Sequence, residues 1–323
     1  MPRDVFITGG CGYLGGLVLR ALSARRDAFG AITAADIRLP APEARIAGVD
    51  YVLADVREPA VAEAIAARAP QTVIHLASIV TPGKDSSREL EYAVDVLGTE
   101  NVLRACVAAR VEQIIVTSSG AAYGYHADSP AWLKEMDPLR GNEAFAYSHH
   151  KRLVEEMLAR YRDEHPELKQ LIFRVCTILG ATTRNQITAL FEKPRLLGVS
   201  GASTPFVFVW DQDAARAIVY GAAEAHTGIY NLAGDGALTL DEIAAMLGKP
   251  ILRIPPAVLA LALRVLRRFG LTRYGPEQVD FLRYRPVLDN ARLKAEFGYT
   301  PEKSSREAFA FYLAENPGVR RGD

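Results

Sequence analysis

A pair of side chains in the middle of the chain has the types and spacing needed to transfer a proton. Tyr147 and Lys151 stand four residues apart at the start of a predicted helix, so they project from the same helix face. A neighbouring ammonium group favours the phenolate form of a tyrosine, which can then serve as general base or general acid. The pair alone is weak support, because the two residue types meet at this spacing by chance on many helices. The run Ser118-Ser119-Gly120, which follows a predicted buried strand, would by itself be only a turn.

A glycine-rich segment near the start of the chain could hold a dinucleotide. It reads Thr8-Gly9-Gly10-Cys11-Gly12-Tyr13-Leu14-Gly15 and lies between the first predicted strand and the first predicted helix. Gly9, Gly12 and Gly15 allow a tight turn, a close approach to a pyrophosphate and close packing of helix on strand. Asp36 ends the second predicted strand, where a carboxylate binds the adenosine ribose hydroxyls and repels a 2′-phosphate. The segment therefore predicts NAD, with NADP left open because Arg38 could bind a phosphate.

Short apolar runs alternate with longer Ala-, Leu- and Arg-rich segments, a rhythm that predicts a parallel sheet flanked by helices. Continuous runs such as Val5-Phe6-Ile7 and Ile114-Ile115-Val116 indicate strands buried on both faces, as in a doubly wound α/β fold. The predicted strands are Asp4–Thr8, Ala31–Asp36, Tyr51–Leu53, Thr72–Ala77, Gln113–Ser118 and Leu171–Cys176. The predicted helices are Gly12–Arg26, Pro59–Arg68, Arg88–Arg110 and Asn142–His165.

After about Leu179 the alternation loosens, which predicts a smaller, irregular C-terminal lobe. We assign residues 1–178 and 206–248 to a Rossmann domain for NAD, and residues 179–205 and 249–323 to a substrate-binding lobe. An amphipathic helix is predicted after Pro255-Pro256, with arginines on one side and an apolar face formed by Val258, Leu261, Val265 and Phe269. We interpret it as a helix of the substrate lobe, with a membrane-surface helix as the alternative.

Composition narrows the class of protein. The 323 residues include 38 Lys plus Arg and 38 Asp plus Glu, and a net charge of zero argues against nucleic acid as a partner. Cys11, Cys106 and Cys176 have neither a disulfide-framework nor a zinc-site spacing, so no metal is predicted. The chain enters Val5-Phe6-Ile7 directly, without a signal-peptide pattern, and has no apolar stretch long enough to span a bilayer. We therefore expect a cytoplasmic protein that does not bind membranes.

Together these motifs resemble the extended short-chain dehydrogenase/reductase family, of the NAD-dependent epimerase/dehydratase type, over nearly the whole chain. Leu53-Ala54-Asp55-Val56 is similar to the family's segment after the third strand, where the aspartate contacts adenine. His75-Leu76-Ala77-Ser78 matches the segment whose backbone lines the cofactor, although His75 itself is predicted to be a buried, hydrogen-bonded strand-end residue. Asp95 departs from the pattern, because the family usually has asparagine there. The resemblance implies a cofactor site formed by Gly9, Gly12, Tyr13, Leu14, Gly15, Asp36, Arg38, Asp55, Val56, Leu76, Ala77, Ser78, Tyr147 and Lys151.

The resemblance also assigns roles to the polar residues in the middle of the chain. The segment from Thr117 to Gly124 is similar to the family's SSxxxYG segment, and counting back four residues from Tyr123 selects Ser119 as the hydroxyl that positions the substrate oxygen. Ser118 is the alternative. Tyr147 would be the acid/base, and Lys151 would also hold the nicotinamide ribose. The implied chemistry is hydride transfer between nicotinamide C4 and a carbon bearing a hydroxyl or carbonyl group.

Several departures from the family bear on the substrate. Gly120-Ala121 stands where dehydratases carry Asp-Glu, which disfavours a sugar dehydratase. Arg174-Val175-Cys176-Thr177 lacks the proline and asparagine of the RPxN pattern of nucleotide-sugar enzymes, and Phe206 stands near where an arginine can grip their diphosphate. These features predict a rather apolar substrate site. Four arginines elsewhere could still supply phosphate ligands: Arg184, Arg195, Arg273 and Arg283. Tyr123, His149 and His150 could contact the substrate, but they are predicted to lie on an exposed loop or helix surface.

The sequence leaves three functions open, all of them with a small-molecule ligand. A redox-neutral epimerase of a sugar or nucleotide sugar follows from the family. A net NAD-dependent alcohol dehydrogenase or ketoreductase follows from the apolar substitutions. A non-catalytic NAD(H) sensor would have no need to keep Ser119, Tyr147 and Lys151 together. The resemblance also implies a homodimer, through the helices predicted at Arg88–Arg110 and Asn142–His165.

Overall fold

The computed structural model describes residues 2–83, 86–202, 205–272 and 275–320. Arg273, one of the arginines considered as a phosphate ligand, lies outside these ranges. The strands in them are β1 Arg3–Thr8, β2 Phe29–Asp36, β3 Val49–Leu53, β4 Thr72–His75, β5 Gln113–Ser119, β6 Lys169–Val175, β7 Thr177–Leu179, β8 Leu196–Val199, β9 Phe208–Trp210, β10 Gly228–Leu232 and β11 Ile251–Ile254.

The helices begin and end close to where the sequence predicts them in the first half of the chain. They are α1 Tyr13–Ser23, α2 Pro59–Arg68, α3 Arg88–Tyr92, α4 Gly98–Ala108, α5 Ala146–Glu164, α6 Thr188–Phe191, α7 Asp211–Ala223, α8 Leu240–Leu247, α9 Pro256–Arg268, α10 Gln278–Arg283, α11 Ala291–Ala295 and α12 Ser305–Glu315. Short 3₁₀ turns cover Pro42–Ala44, Gly120–Tyr123 and Pro317–Val319.

Seven parallel strands form one sheet in the order β10-β6-β5-β4-β1-β2-β3. The order in which successive strands join the sheet reverses between β1 and β4. At such a reversal a crevice lies outside the carboxyl ends of the two strands, and ligands bind in it. Thr8 at the end of β1 pairs with His75 at the end of β4, so both chain segments that follow open into that crevice. The doubly wound Rossmann fold predicted from the sequence is confirmed.

The sheet is buried on both faces, as the continuous apolar runs predict. Helices α1 and α7 cover one face, where Val18, Leu22 and Ile218 are fully buried. Helices α2, α4 and α5 cover the other face, with Ile65 and Leu158 among the buried side chains. The apolar area removed from water on the two faces, at about 25 cal/mol per Å², is the main source of stability of this half of the protein.

The helix predicted over Arg88–Arg110 is interrupted. Between α3 and α4 the backbone forms a π turn at Ala93–Leu97, which accommodates one more residue than an α turn. Within this turn Asp95 is buried, and its Oδ1 accepts a hydrogen bond from the Ile79 backbone N–H at 2.9 Å. Hydrophobic periodicity cannot reveal such a turn, because the apolar residues continue on both sides of it.

A further core lies beyond the sheet, and it combines residues of 206–248 with residues of the predicted C-terminal lobe. Buried aromatic and aliphatic side chains from α6, β9, α8 and α12 pack together there, including Phe191, Phe208, Leu247 and Phe309. Two small parallel pairs of strands, β7 with β9 and β8 with β11, border this core. The division into 1–178 with 206–248 and 179–205 with 249–323 stays a prediction.

The amphipathic helix predicted after Pro255-Pro256 is α9, but its predicted apolar face does not pack on the lobe. Leu259 is the buried residue of α9, and the side chains of Val258, Leu261, Val265 and Phe269 are all exposed. In the part of the chain that the structure describes, no helix has the length and apolar character needed to cross a membrane.

Candidate active site

The glycine segment turns tightly where β1 meets α1. Gly9 has a φ of +69°, and a Cβ atom there would lie 2.7 Å from the backbone nitrogen of Ala77. A Cβ atom on Gly15 would overlap the carbonyl oxygen of Gly9. A side chain at either position would therefore push apart the closely packed backbones of the glycine segment, the segment after β4 and the first turn of α1, whose free N–H groups can bind an anion. This is the fit expected of a pyrophosphate site.

Asp36 lies at the end of β2, next to the glycine segment. Its Oδ2 accepts a hydrogen bond from the Cys11 N–H at 3.0 Å, and its Oδ1 accepts one from the Arg38 N–H at 3.3 Å. Each carboxylate oxygen has a further lone pair for a ribose hydroxyl. The Asp36 carboxylate is thus fixed by the backbone at the place where the sequence predicts adenosine recognition.

Asp55 and Val56 follow β3 on the same edge of the sheet. The Arg57 guanidinium donates hydrogen bonds to the Asp55 carboxylate, with Nη2 to Oδ2 at 2.6 Å. These hydrogen bonds lower the pKa of Asp55 below its usual value, because they outweigh the smaller opposing effect of burial. Val56 is buried, and its carbonyl accepts a hydrogen bond from Asn101 at 3.0 Å. An adenine ring at this edge would therefore meet a carboxylate already paired with Arg57.

The segment after β4 faces the glycine segment. Leu76 and Ser78 line the main cavity of the protein, and the backbone of Ala77 lies against Gly9. His75 is buried, with Nδ1 at 2.6 Å from the Thr8 hydroxyl and Nε2 at 3.0 Å from the Thr99 hydroxyl. Burial, and secondly the positive charge of Lys151, lower the pKa of His75 to about 3, so this imidazole stays neutral. His75 is therefore the structural histidine that the sequence predicts.

Tyr13 connects the glycine segment to the C-terminal half of the chain. Its hydroxyl donates to Asp211 Oδ2 at 2.6 Å and accepts from the Thr183 hydroxyl at 2.7 Å. Burial, and then the hydrogen bond to Asp211, raise the pKa of Tyr13. Tyr13 and the neighbouring Leu14 both line the cavity, so the first turn of α1 forms part of its wall.

Ser119, Tyr147 and Lys151 line the same cavity, which has a volume of about 380 Å³. Lys151 Nζ lies 5.6 Å from the centroid of the Tyr147 ring and donates to the Thr117 carbonyl at 3.2 Å. The Ser148 hydroxyl donates to the Ala121 carbonyl at 2.6 Å, and so it ties the first turn of α5 to the turn that follows Ser119.

Both serines considered for the substrate oxygen reach the cavity. The Ser119 hydroxyl oxygen accepts a hydrogen bond from the Ala121 N–H at 3.1 Å, which leaves its proton available to a ligand. The Ser118 hydroxyl is buried and has no hydrogen-bond partner among the described residues. The geometry therefore supports Ser119, whose hydroxyl is the one already oriented.

Asp95 and His150 form a buried pair behind Lys151. Asp95 Oδ2 lies 3.8 Å from His150 Nδ1, and both side chains are about 1% exposed. Burial of Asp95 raises its pKa, but His150, Lys151 and the Ile79 N–H together outweigh this effect, so the pKa lies below the usual value. Asp95 therefore puts a negative charge near Lys151, which an asparagine would not supply. His150 does not line the cavity, and the prediction that it lies on an exposed surface is wrong, because its side chain is buried.

Arg174 is the centre of a buried polar network beside the cavity. Its guanidinium binds Glu155 at 2.8 and 2.9 Å, and both side chains are 5% exposed or less. Its Nη1 also donates to the Tyr123 hydroxyl at 2.9 Å, and Tyr123 in turn donates to Asn231. Tyr123 and Arg174 therefore hold the surrounding strands and turns together, and neither lines the cavity. The prediction that Tyr123 lies on an exposed surface is wrong, because this network buries it.

Arg285 lines the cavity, although it is not one of the four arginines predicted as possible phosphate ligands. Its guanidinium carbon lies 4.2 Å from the centroid of the Phe206 ring and 4.4 Å from that of Phe281. Its Nε and Nη2 are buried without a hydrogen-bond partner among the described residues. Burial lowers the pKa of Arg285 to about 10, which leaves it charged at neutral pH. Buried guanidinium nitrogens without a hydrogen-bond acceptor are costly even between two aromatic rings, and an anionic ligand would remove that cost.

The other arginines considered as phosphate ligands lie in different places. Arg184 lines the cavity, whereas Arg195 and Arg283 do not. Phe206 has no charge, as the sequence shows, but it forms one of the two rings that enclose the Arg285 guanidinium. Sequence patterns do not reveal this arrangement, because Phe206, Phe281 and Arg285 are distant in the sequence and come together only through the fold.

Comparison with known proteins identifies the family of the chain and shows which solved structures share its fold. A sequence model of the NAD dependent epimerase/dehydratase family matches residues 5–233. An uncharacterized protein of Mycobacterium tuberculosis strain H37Rv is 26% identical over 319 residues, which are 97% of this chain and 84% of that protein. A UDP-glucose 4-epimerase of Erwinia amylovora is 28% identical over 194 residues, covering 57% of this chain and 56% of the epimerase.

Solved structures show the same architecture. The UDP-glucose 4-epimerase of Thermus thermophilus, in complex with NAD, superimposes with a TM-score of 0.73 at 22% identity and covers 97% of this chain and 98% of its own. The UDP-glucose 4-epimerase of Thermotoga maritima, with UDP-glucose, gives a TM-score of 0.72 at 16% identity with the same coverage. At these identities the similarity establishes the fold.

Proposed function

Because the chain belongs to the NAD dependent epimerase/dehydratase family, whose cofactor is NAD, we propose that it is an enzyme that oxidises or reduces a secondary alcohol or ketone carbon with Tyr147 as the acid/base. The observation that carries the proposal is that Ser119, Tyr147 and Lys151 line one cavity together with the glycine segment. When bound, NAD would accept or donate hydride at nicotinamide C4.

The residues of the chain would divide the remaining work. Tyr147 takes the proton of the substrate hydroxyl during oxidation and returns it during reduction. The Lys151 ammonium, 5.6 Å from the Tyr147 ring, stabilises the phenolate. Ser119 donates its free proton to the substrate oxygen, because its oxygen is already bound to the Ala121 N–H. Lys151 would also bind the nicotinamide ribose.

The cofactor would lie across the crevice between β1 and β4. The pyrophosphate fits the first turn of α1 beside Gly9, Gly12, Leu14 and Gly15, and Asp36 would accept from the adenosine ribose. The Arg38 backbone N–H donates to the Asp36 carboxylate, and a carboxylate oriented in this way supports NAD over NADP. The remaining members of the proposed cofactor site are Tyr13, Asp55, Val56, Leu76, Ala77 and Ser78.

For the substrate, we propose a sugar or nucleotide sugar that is epimerised without net oxidation. The support is Arg285 in the cavity wall, whose Nε and Nη2 have no hydrogen-bond acceptor among the described residues, since such a guanidinium suits a phosphate or diphosphate. Relatives described as UDP-glucose 4-epimerases are consistent with this ligand class. A homodimer through α3, α4 and α5, and a cytoplasmic location, belong to the same proposal.

A net alcohol dehydrogenase or ketoreductase on a non-nucleotide substrate is the second candidate. Phe145, Phe206 and Phe281 all line the cavity, so much of the wall near Arg285 is aromatic and apolar. A carboxylate or a polarised carbonyl on an otherwise apolar substrate would use the same arginine. The two candidates differ in whether the enzyme must exchange its cofactor at every turnover.

Cofactor retention separates the two candidates. The purified protein is denatured, and the released nicotinamide is identified by chromatography and quantified by absorbance. A redox-neutral epimerase has no need to release NAD, so we expect about one NAD(H) per chain for that function. An empty protein that binds added NAD reversibly would support the dehydrogenase. Failure to bind nicotinamide in either form would contradict the proposed function as a whole.

Replacing Arg285 tests the anion site. In Arg285→Met, UDP should bind at least tenfold more weakly than to the wild type, measured calorimetrically on protein saturated with NAD, because a charge-assisted hydrogen bond contributes about 1.5–3 kcal/mol. The matched control is Arg283→Met, whose guanidinium lies over the Tyr284 ring and outside the cavity. Equal affinities in Arg285→Met and wild type would remove Arg285 from the substrate site.

A further inference from the structure

The exposed apolar surface of α9 has no counterpart elsewhere on the described lobe. Six large apolar side chains between Pro256 and Leu271 are exposed, with Leu261 at 59% and Phe269 at 71% of their full accessibility. Monomeric proteins rarely expose contiguous apolar patches of this kind without a binding role. We call this surface the α9 face, and it consists of Val258, Leu261, Val265, Leu266, Phe269 and Leu271.

The charged residues within the segment that forms the α9 face are all basic. The segment Pro256–Leu271 contains Arg264, Arg267 and Arg268 and no acidic residue. Arg267 lies 3.6 Å from Glu277, whereas Arg264 and Arg268 form no ion pair among the described residues. The whole chain has a net charge of zero, so the positive charge is a local property of this helix.

The geometry of α9 separates an inner face from an outer one. At about 100° per residue, Leu261, Val265 and Phe269 fall on the outer side, and Arg264 and Arg268 fall along its border. The inner side is held by Leu259, which packs with Val279 and Leu282 of α10. The helix is therefore anchored to the lobe by a narrow strip and presents a broad apolar face with a basic edge to the outside.

We propose that the α9 face docks on the surface of a bilayer that contains anionic phospholipids. A helix with a large apolar face and arginines at its polar border lies in the interface plane, with its apolar side chains among the acyl chains and its cations at the headgroups. At 13 residues, α9 is about 20 Å long and cannot span the roughly 30 Å hydrocarbon core. The membrane-surface alternative considered from the sequence thus becomes the favoured one.

Charge argues against a second copy of the chain as the occupant. Two α9 faces brought together would bring three arginines each, and the segment offers no carboxylate to pair with them. Like charges across an interface cost free energy, whereas anionic lipid headgroups supply the missing counter-charge.

Docking at this face would bring the cavity close to the bilayer. Phe281 of α10 lines the cavity and also belongs to the group of apolar side chains under α9. Helix α10 is therefore the layer between the docked helix and the cavity wall. The docking proposal is independent of the proposed chemistry, and its test below measures binding alone.

The test is sedimentation of the full chain with lipid vesicles. At low ionic strength, the protein should pellet with phosphatidylcholine vesicles that contain phosphatidylglycerol, remain in solution with pure phosphatidylcholine vesicles, and be released by added salt. Replacing Arg264 and Arg268 with glutamine should weaken binding about fivefold for each arginine. The double substitution Leu261→Ser, Val265→Ser should weaken it at least tenfold, because both side chains lose their burial in lipid.

Matched variants elsewhere on the surface serve as controls. Arg20→Gln removes an exposed cation from α1, and Met136→Ser removes the apolar side chain of Met136, which is 87% exposed. Both should bind vesicles like the wild type, and all variants should keep the wild-type thermal unfolding temperature. Absence of wild-type binding to the anionic vesicles, or equal binding by the α9 and control variants, would overturn the proposal. Loss of a dimer in Leu261→Ser, Val265→Ser without vesicle binding would assign the face to a second copy instead.

Discussion

Tyr147→Phe should lower turnover by about 10²–10⁴-fold, because phenylalanine keeps the ring in place but removes the group that takes and returns the proton. Lys151 is held by its hydrogen bond to the Thr117 carbonyl and lies beside the aromatic ring that phenylalanine retains, so its position should not change. NAD affinity should stay near the wild-type value for the same reason. The measurement is single-turnover change in NADH absorbance, on a panel of nucleotide sugars and secondary alcohols turned over by the wild type, together with calorimetric NAD binding.

Tyr220→Phe is the matched control for the tyrosine substitution. Tyr220 lies on α7 against Phe297, away from the residues that line the cavity, so its hydroxyl should be dispensable for turnover. Near-normal activity of Tyr147→Phe would refute Tyr147 as the acid/base. A wild type that binds NAD firmly and turns over no member of a broad panel would favour the sensor function instead.

Glu155→Ala should destabilise the fold by about 3–5 kcal/mol, because it leaves the Arg174 guanidinium charged and buried without its carboxylate. The pair lies between α5 and β6, with two hydrogen bonds of 2.8 and 2.9 Å. The expected result is a clear fall in the urea concentration at which half the protein is unfolded.

Glu156→Ala, one residue along the same helix, is the control for Glu155→Ala. Both variants change helix propensity equally, but only Glu155→Ala breaks the buried ion pair. Glu156 is 56% exposed and lies 3.8 Å from Arg152, and such surface pairs contribute about 0–1 kcal/mol. Equal stability losses at 155 and 156 would show that the buried pair adds nothing. The double variant Glu155→Leu, Arg174→Met should recover part of the loss, because both buried charges are then removed.

Most of the sheet could be predicted because its signal is local. Val5-Phe6-Ile7 and Ile114-Ile115-Val116 are continuous apolar runs, and only strands buried on both faces need them. The seventh strand, Gly228–Leu232, is not predicted, because it lies in the part of the chain where the βα rhythm loosens. Helix α5 begins at Ala146 instead of Asn142, because the Asn142 side chain accepts a hydrogen bond from the Tyr125 N–H and holds a loop.

The parts of the candidate site that could be predicted are those whose residues are close together in the sequence. Gly9, Gly12 and Gly15 lie in one turn, and Tyr147 and Lys151 on one helix face, so their proximity follows from local geometry. Contacts between distant segments carry no such signal. The link from Tyr13 to Asp211 joins residues 198 apart, and the two phenyl rings around Arg285 come from separate elements of the lobe.

The exposed face of α9 shows a second property that the sequence does not predict, namely the orientation of an amphipathic helix. Amphipathic periodicity gives the helix and its two faces, but it does not say which face meets the protein. Val258, Leu261 and Val265 would normally be assigned to the core, since apolar stripes usually face it. In this chain the strip through Leu259 is enough to anchor the helix.

The π turn at Ala93–Leu97 has a geometric consequence for any chain that packs along this helix. One additional residue in a turn rotates everything that follows by about 100° relative to an unbroken α-helix. The stripes of α3 and α4 are thus out of phase, and Tyr92 and Leu97, both partly exposed, do not continue the stripe of α4. A partner helix could follow one stripe only as far as the turn, so a dimer formed here would rest on two offset patches and not on one continuous seam.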